Sequence, residues 1–145
     1  MTTLVIYDSV HGNTEKIARA IGDAIGTDAK VLRVSEMSQD TPSSTGLLII
    51  GSPTHGGRPT PDIQSFLDRM PVQGVRVAIF DTRFEGRMIR LFGYAAPRMA
   101  DGLKAKGANI VAPPEGFIVK GTKGPLKEGE IERAAAWTKK IVWVP

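Results

Sequence analysis

The 145-residue chain is 41% apolar and 23% charged, a composition that can bury a core and is too apolar for a disordered tail. It has no cysteine, which excludes disulfides, thiolate metal sites, iron–sulfur ligation and a cysteine nucleophile. The net charge of +4 comes from 19 Lys+Arg against 15 Asp+Glu with no long basic run, so no nucleic-acid partner is expected. No apolar run approaches the roughly 18 residues that span a bilayer, so no membrane partner is expected. The start, MTTLVIYDSV, has no basic leader before its apolar run. The expectation is a single cytoplasmic domain over residues 1–145, a monomer or weak dimer.

Leu4-Val5-Ile6-Tyr7 reads as a strand buried on both faces. Thr14 to Ile25 then carries Ile17, Ala18, Ile21, Ala24 and Ile25 at helical spacing, with Gly26 as the stop. Lys30 to Val34 reads as a strand. Ser35 to Thr45 is polar and loop-like, with room for a short helix. Leu47 to Ile50 is another buried strand, ended by Gly51. Ile63, Phe66, Leu67 and Met70 form a helix stripe. Val75 to Phe80 is a fourth strand, and Asp81 to Phe92 a charged, loop-like stretch. Tyr94 to Lys106 is predicted helical. Asn109-Ile110-Val111 starts a fifth strand that Phe117-Ile118-Val119 continues after Pro113-Pro114, because proline cannot sit inside a paired central strand. Ile131, Ala134, Ala135, Thr138, Ile141 and Val142 mark a last helix.

Alternating strands and helices predict an α/β fold: a five-stranded parallel sheet, doubly wound, with helices on both faces in a three-layer αβα sandwich. Ligands of such sheets bind at the carboxyl ends of the strands. Three loop segments leave those ends, 8–14, 51–59 and 81–92, and they converge if the first, third and fourth strands are neighbours.

Ser9-Val10-His11-Gly12-Asn13-Thr14 combines short polar side chains with a glycine, immediately before a helix. The first amides of that helix have no intrahelical partner, and with the positive end of the helix dipole they form an anion site that needs no lysine or arginine. It is neither a Walker loop nor a G-x-G-x-x-G fingerprint. From the loop alone two readings stand: an anion cradle, or a helix simply capped by Asn13 or Thr14.

The same six residues resemble the T/S-x-T-G-N-T phosphate signature of the flavodoxin family, with His11 where the family usually has threonine. Gly51-Ser52-Pro53-Thr54 and Gly107-Ala108-Asn109-Ile110-Val111 extend the resemblance over nearly the whole chain. It implies strand order 2-1-3-4-5, the order for which flavodoxin is a standard example, and bound flavin mononucleotide (FMN). Ser9, Val10, His11, Gly12, Asn13 and Thr14 would hold the phosphate. Pro53, Thr54, His55, Gly56 and Gly57 would form the first flavin-flanking loop, Thr54 near the phosphate–ribityl region and His55 stacking on the ring. In the family a peptide at the Gly56 position turns over when the flavin gains an electron and a proton, so that its carbonyl accepts from flavin N5–H. Thr82, Arg83 and Phe84 would belong to the second loop, the Thr82 and Arg83 amides at the pyrimidine edge. Phe84 is the candidate aromatic, for the ring stack or for the local core.

The resemblance further implies a small one-electron carrier working between redox partner proteins. Arg58, Arg83, Arg87 and Arg90 lie in or beside the flavin loops. One charge about 8 Å from the ring, at an effective dielectric of about 20, contributes on the order of 2 kcal/mol before screening. The expected results are a final reduction potential less negative than in acidic family members, and a rim suited to an acidic protein or to NAD(P)H. Alternatively these arginines point into water or pair with Glu85 and Asp101. Two other functions use the same residues: an FMN-dependent NAD(P)H or quinone reductase, and a flavin-free interaction module with a degenerate site. A phosphoacceptor receiver needs carboxylates that Asp8 alone and Gly51-Ser52 do not supply, His11 and His55 are too few for metal catalysis, and no G-x-S-x-G elbow is present.

Overall fold

A computed structural model describes residues 2–37, 45–86 and 93–142. In chain order the elements are β1 (Thr2–Tyr7), α1 (Asn13–Ile25), β2 (Ala29–Arg33), a 3-10 turn (Val34–Glu36), β3 (Thr45–Pro53), α2 (Pro61–Arg69), β4 (Arg76–Phe84), α3 (Ala95–Ala105), β5 (Asn109–Ile110), β6 (Glu115–Val119) and α4 (Glu130–Val142). All strand pairs are parallel, in the order β2-β1-β3-β4, with β5 and β6 both on the outer side of β4. The two short strands are one fifth-strand position interrupted at 111–114, where the Pro113-Pro114 pair removes two ladder donors.

The period-2 alternation of the strands sorts the core into two layers. Leu4, Ile6, Leu48, Ile50, Val77 and Ile79 face α2 and α3, meeting Phe66, Met70, Met99 and Leu103. Val5, Tyr7, Leu47, Ile49, Ala78 and Phe80 face α1 and α4, meeting Ile17, Ile21, Trp137 and Ile141. The rings of Phe80, Phe117 and Trp137 pack edge to face on that second side, with centroids 6.0–6.2 Å apart.

The ends of β2, β3 and β4 near the site differ from the sequence reading. β3 runs past Gly51 to Pro53, where Gly51 lies flat against its register partner: a Cβ there would sit 2.0 Å from the Phe80 ring. β4 continues through Asp81-Thr82-Arg83-Phe84, read from sequence as loop. Two charged residues are accommodated there because they pair with each other. β2 ends at Arg33, and Val34 opens the short helical turn that the sequence left room for.

Candidate functional site

The register aligns the carboxyl ends of the central strands: Tyr7 pairs with Gly51, Gly51 with Phe80 and Pro53 with Thr82. The segments leaving β1, β3 and β4 therefore emerge side by side. They enclose a cleft of about 80 Å³ lined by Ser9, Val10, His11, Asn13, Thr14, Pro53, Thr54, His55, Thr82, Arg83, Phe84, Val119 and Thr122. Every expected site residue lines it except the three glycines, Gly12, Gly56 and Gly57. Val119 and Thr122 are additions. They come from the last residue of β6 and the reversal that follows, closed by an antiparallel bridge from Val119 to Leu126 and by a hydrogen bond from Lys120 N–H to the Pro125 carbonyl (2.9 Å). That reversal packs on the first loop so closely that a Cβ on Gly124 would lie 2.6 Å from Asn13 Oδ1.

Asn13 and Thr14 are the first residues of α1 and neither occupies its capping position, which removes the reading of either as the cap. The capping position is Gly12, at φ 93°, a region costly for any residue with a Cβ. The Ser9 hydroxyl accepts from Gly12 N–H (3.0 Å) and, at 3.4 Å, from Glu15 N–H, folding the loop back on itself. The amides of Val10, His11, Asn13 and Thr14 keep no hydrogen-bond partner among the described residues. Thr14 and Thr82 join hydroxyls at 2.8 Å, both almost wholly buried. One of those hydroxyls donates to the other, so a second hydroxyl hydrogen is left for a ligand.

The second loop is a tight hairpin. His55 N–H donates to the Arg58 carbonyl (2.8 Å) and Arg58 N–H to the His55 carbonyl (3.0 Å). Gly56 and Gly57 both take positive φ, 58° and 80°, as a two-residue turn of this kind demands. The Thr54 hydroxyl accepts from Ala95 N–H (3.1 Å), so it ties this loop to the start of α3. Thr82 and Arg83 extend the ladder against β6, which puts their amides in the plane of the sheet rather than in a free loop.

Arg83 is not a free rim cation. Its Nε and Nη2 donate to the two oxygens of Asp81 at 2.7 and 2.9 Å, and its guanidinium lies 3.6 Å from the centre of the Tyr94 ring. Gly116 makes this possible, since a Cβ there would stand 2.2 Å from the guanidinium carbon. Burial pushes the Asp81 carboxyl above its usual range, against the pull of Arg83, Ala96 N–H and the Thr54 hydroxyl. The alternative pairing of the arginines with Glu85 and Asp101 is replaced by others: Glu85 pairs with Lys127, and Arg83 with Asp81. Arg58 is exposed, and Arg87 and Arg90 lie outside the described residues.

The family model for flavodoxin matches residues 5–137. The chain belongs to the flavodoxin family. It is 29% identical to an uncharacterized protein of Methanocaldococcus jannaschii, a match covering 98% of this chain and 99% of that one. Among solved structures it superposes on a flavodoxin from the domain Archaea (TM-score 0.81, 21% identity, 97% and 96% of the two chains) and on oxidised flavodoxin 1 of Bacillus cereus (0.80, 19%, 98% and 97%). Those likenesses establish the flavodoxin fold. Among the described residues, no group of His, Asp and Glu could hold a metal ion, and no helix is long and apolar enough to cross a membrane.

Proposed function

We propose that the cleft binds flavin mononucleotide noncovalently and that the protein is a one-electron carrier between redox partner proteins. Flavodoxins generally bind FMN, and the donor set here suits it. The observation that carries the reading is the run of unpartnered amides at Val10, His11, Asn13 and Thr14, joined by the spare hydroxyl hydrogen of the Thr14–Thr82 pair. Backbone donors at a helix start suit a phosphate dianion without a basic side chain. The enclosed volume fits a phosphate and the start of the ribityl chain. The ring would then lie toward the mouth, where His55 and Phe84 supply stacking surface. When bound, FMN supplies reversible one-electron chemistry.

The chain's own part is to bind, orient and exclude water. The loop at 9–14 anchors the phosphate, and the His55–Arg58 hairpin presents the glycine peptide nearest the ring. With Arg83 paired to Asp81, the exposed Arg58 is the described arginine of the flavin loops left to favour an acidic partner or a reduced, negatively charged ring.

The test is reconstitution with FMN followed by stepwise anaerobic reduction. The reading expects one FMN per chain, two separable one-electron steps and no sustained NADPH oxidation with quinones. Steady-state NADPH turnover would replace the carrier with the reductase. Failure to take up FMN would overturn both.

A further inference from the structure

We propose that Arg33 is a positioning residue of the phosphate loop, aiming that loop's amides into the cleft without lining it. The inference rests on the FMN reading above and names the device that holds its anion end in shape.

Arg33 is the last residue of β2 and pairs in register with Tyr7, one residue before the loop begins. Its guanidinium lies 5.2 Å from the Tyr7 ring centre, and its side chain is one-third exposed. From there Nη1 donates to the Ser9 carbonyl at 2.8 Å, with Asp8 Oδ1 at 3.4 Å, while Nη2 lies 3.3 Å from Glu15 Oε1. Asp8 Oδ1 in turn accepts from Ser9 N–H at 2.9 Å, and the Ser9 hydroxyl holds Gly12 N–H. Ser9 is thus fixed at its amide, its carbonyl and its side chain.

In a planar trans peptide the carbonyl and the next N–H point in opposite directions. Pinning the Ser9 carbonyl outward on Arg33 therefore aims Val10 N–H the other way. Val10 and Ser9 line the cleft and Arg33 does not. Without the guanidinium, the Ser9–Val10 peptide is free to rotate and turn its carbonyl toward the anion, replacing a donor with a repelling oxygen. Asp8 and Glu15 are already at hand to occupy the cation, so its charge is spent locally and its directional bond is what remains.

The experiment compares FMN with riboflavin, which lacks the phosphate, on the wild type, Arg33→Gln and Arg33→Lys, by flavin fluorescence in low salt and in about 1 M KCl, where screening acts over about 3 Å. The wild type should prefer FMN. R33Q should lose about tenfold in FMN affinity, with riboflavin within about twofold, in both salts. R33K, which keeps one donor for the Ser9 carbonyl, should recover part of the loss. Thermal melts confirm that both variants fold. A loss for R33Q that vanishes in high salt overturns positioning in favour of plain attraction. An unchanged preference for FMN overturns any role for Arg33. A wild type with no preference overturns the phosphate reading and this inference together, which distinguishes the two failures.

Discussion

Gly12 is required for its backbone rather than for space. At φ 93° a Cβ would meet no atom within 4 Å, so the space next to the backbone is open. The penalty of Gly12→Val is strain, about 1–3 kcal/mol for a branched residue in the left-handed region, relieved only by moving the loop. Gly12→Val should therefore cut FMN affinity at least about tenfold, while Gly12→Asn, which tolerates that region, should keep most of it. Fluorescence titration of the two variants checks this, and equal losses would contradict it. That the segment from Ser9 to Thr14 comes to a cleft at the strand ends was legible because the motif is contiguous. The fate of Arg83 was not, because its partner Asp81 is buried and its stacking partner Tyr94 lies eleven residues along the chain. Sequence spacing offers no sign that a charged triplet is neutral by pairing.

The elements around the site hold one another by their ends. The first two amides of α3 are satisfied from outside the helix, Ala95 by Thr54 and Ala96 by Asp81 (2.8 Å). Asp81→Ala removes one of these bonds and strands a largely buried Arg83 cation, so a loss of about 3 kcal/mol in denaturant unfolding is expected. On the other face Glu130, at the start of α4, accepts from Ile118 N–H of β6 and from Arg133. Arg133 also reaches Glu115 and the Gly116 carbonyl. Burial raises the Glu130 carboxyl, but these bonds outweigh it and the net displacement is below the ordinary 4.5. A depressed carboxyl adds stability above its unfolded pKa and loses it as the pH falls through the folded one. Melting temperature should thus drop as the pH is lowered below about 4.5, with part of that dependence absent in Glu130→Gln. Scanning both proteins from pH 7 to pH 3 tests it. Element types were readable from periodicity. Their ends were not wherever a charge was paired, as at Asp81–Phe84, or where a glycine served close packing, as at Gly51.

At the scale of the whole molecule, strand alternation gave both the parallel sheet and its two-sided core. The sheet order came with the phosphate motif, since periodicity alone does not say which strands are neighbours. The reversal that follows β6 carries no periodic signal; it packs Gly124 on Asn13 and brings Thr122 to the cleft beside Val119, the last residue of β6. The proposed site is three strand-end segments converging to hold FMN by its phosphate. Backbone amide NMR during FMN addition tests that most directly. The account predicts the largest shifts at Val10, His11, Asn13 and Thr14, then at His55 and Thr122, with inorganic phosphate reproducing only the first group. Shifts centred instead on the larger groove beside α3 and β5, lined by Pro97, Ala100, Ile110 and Pro113, would contradict it.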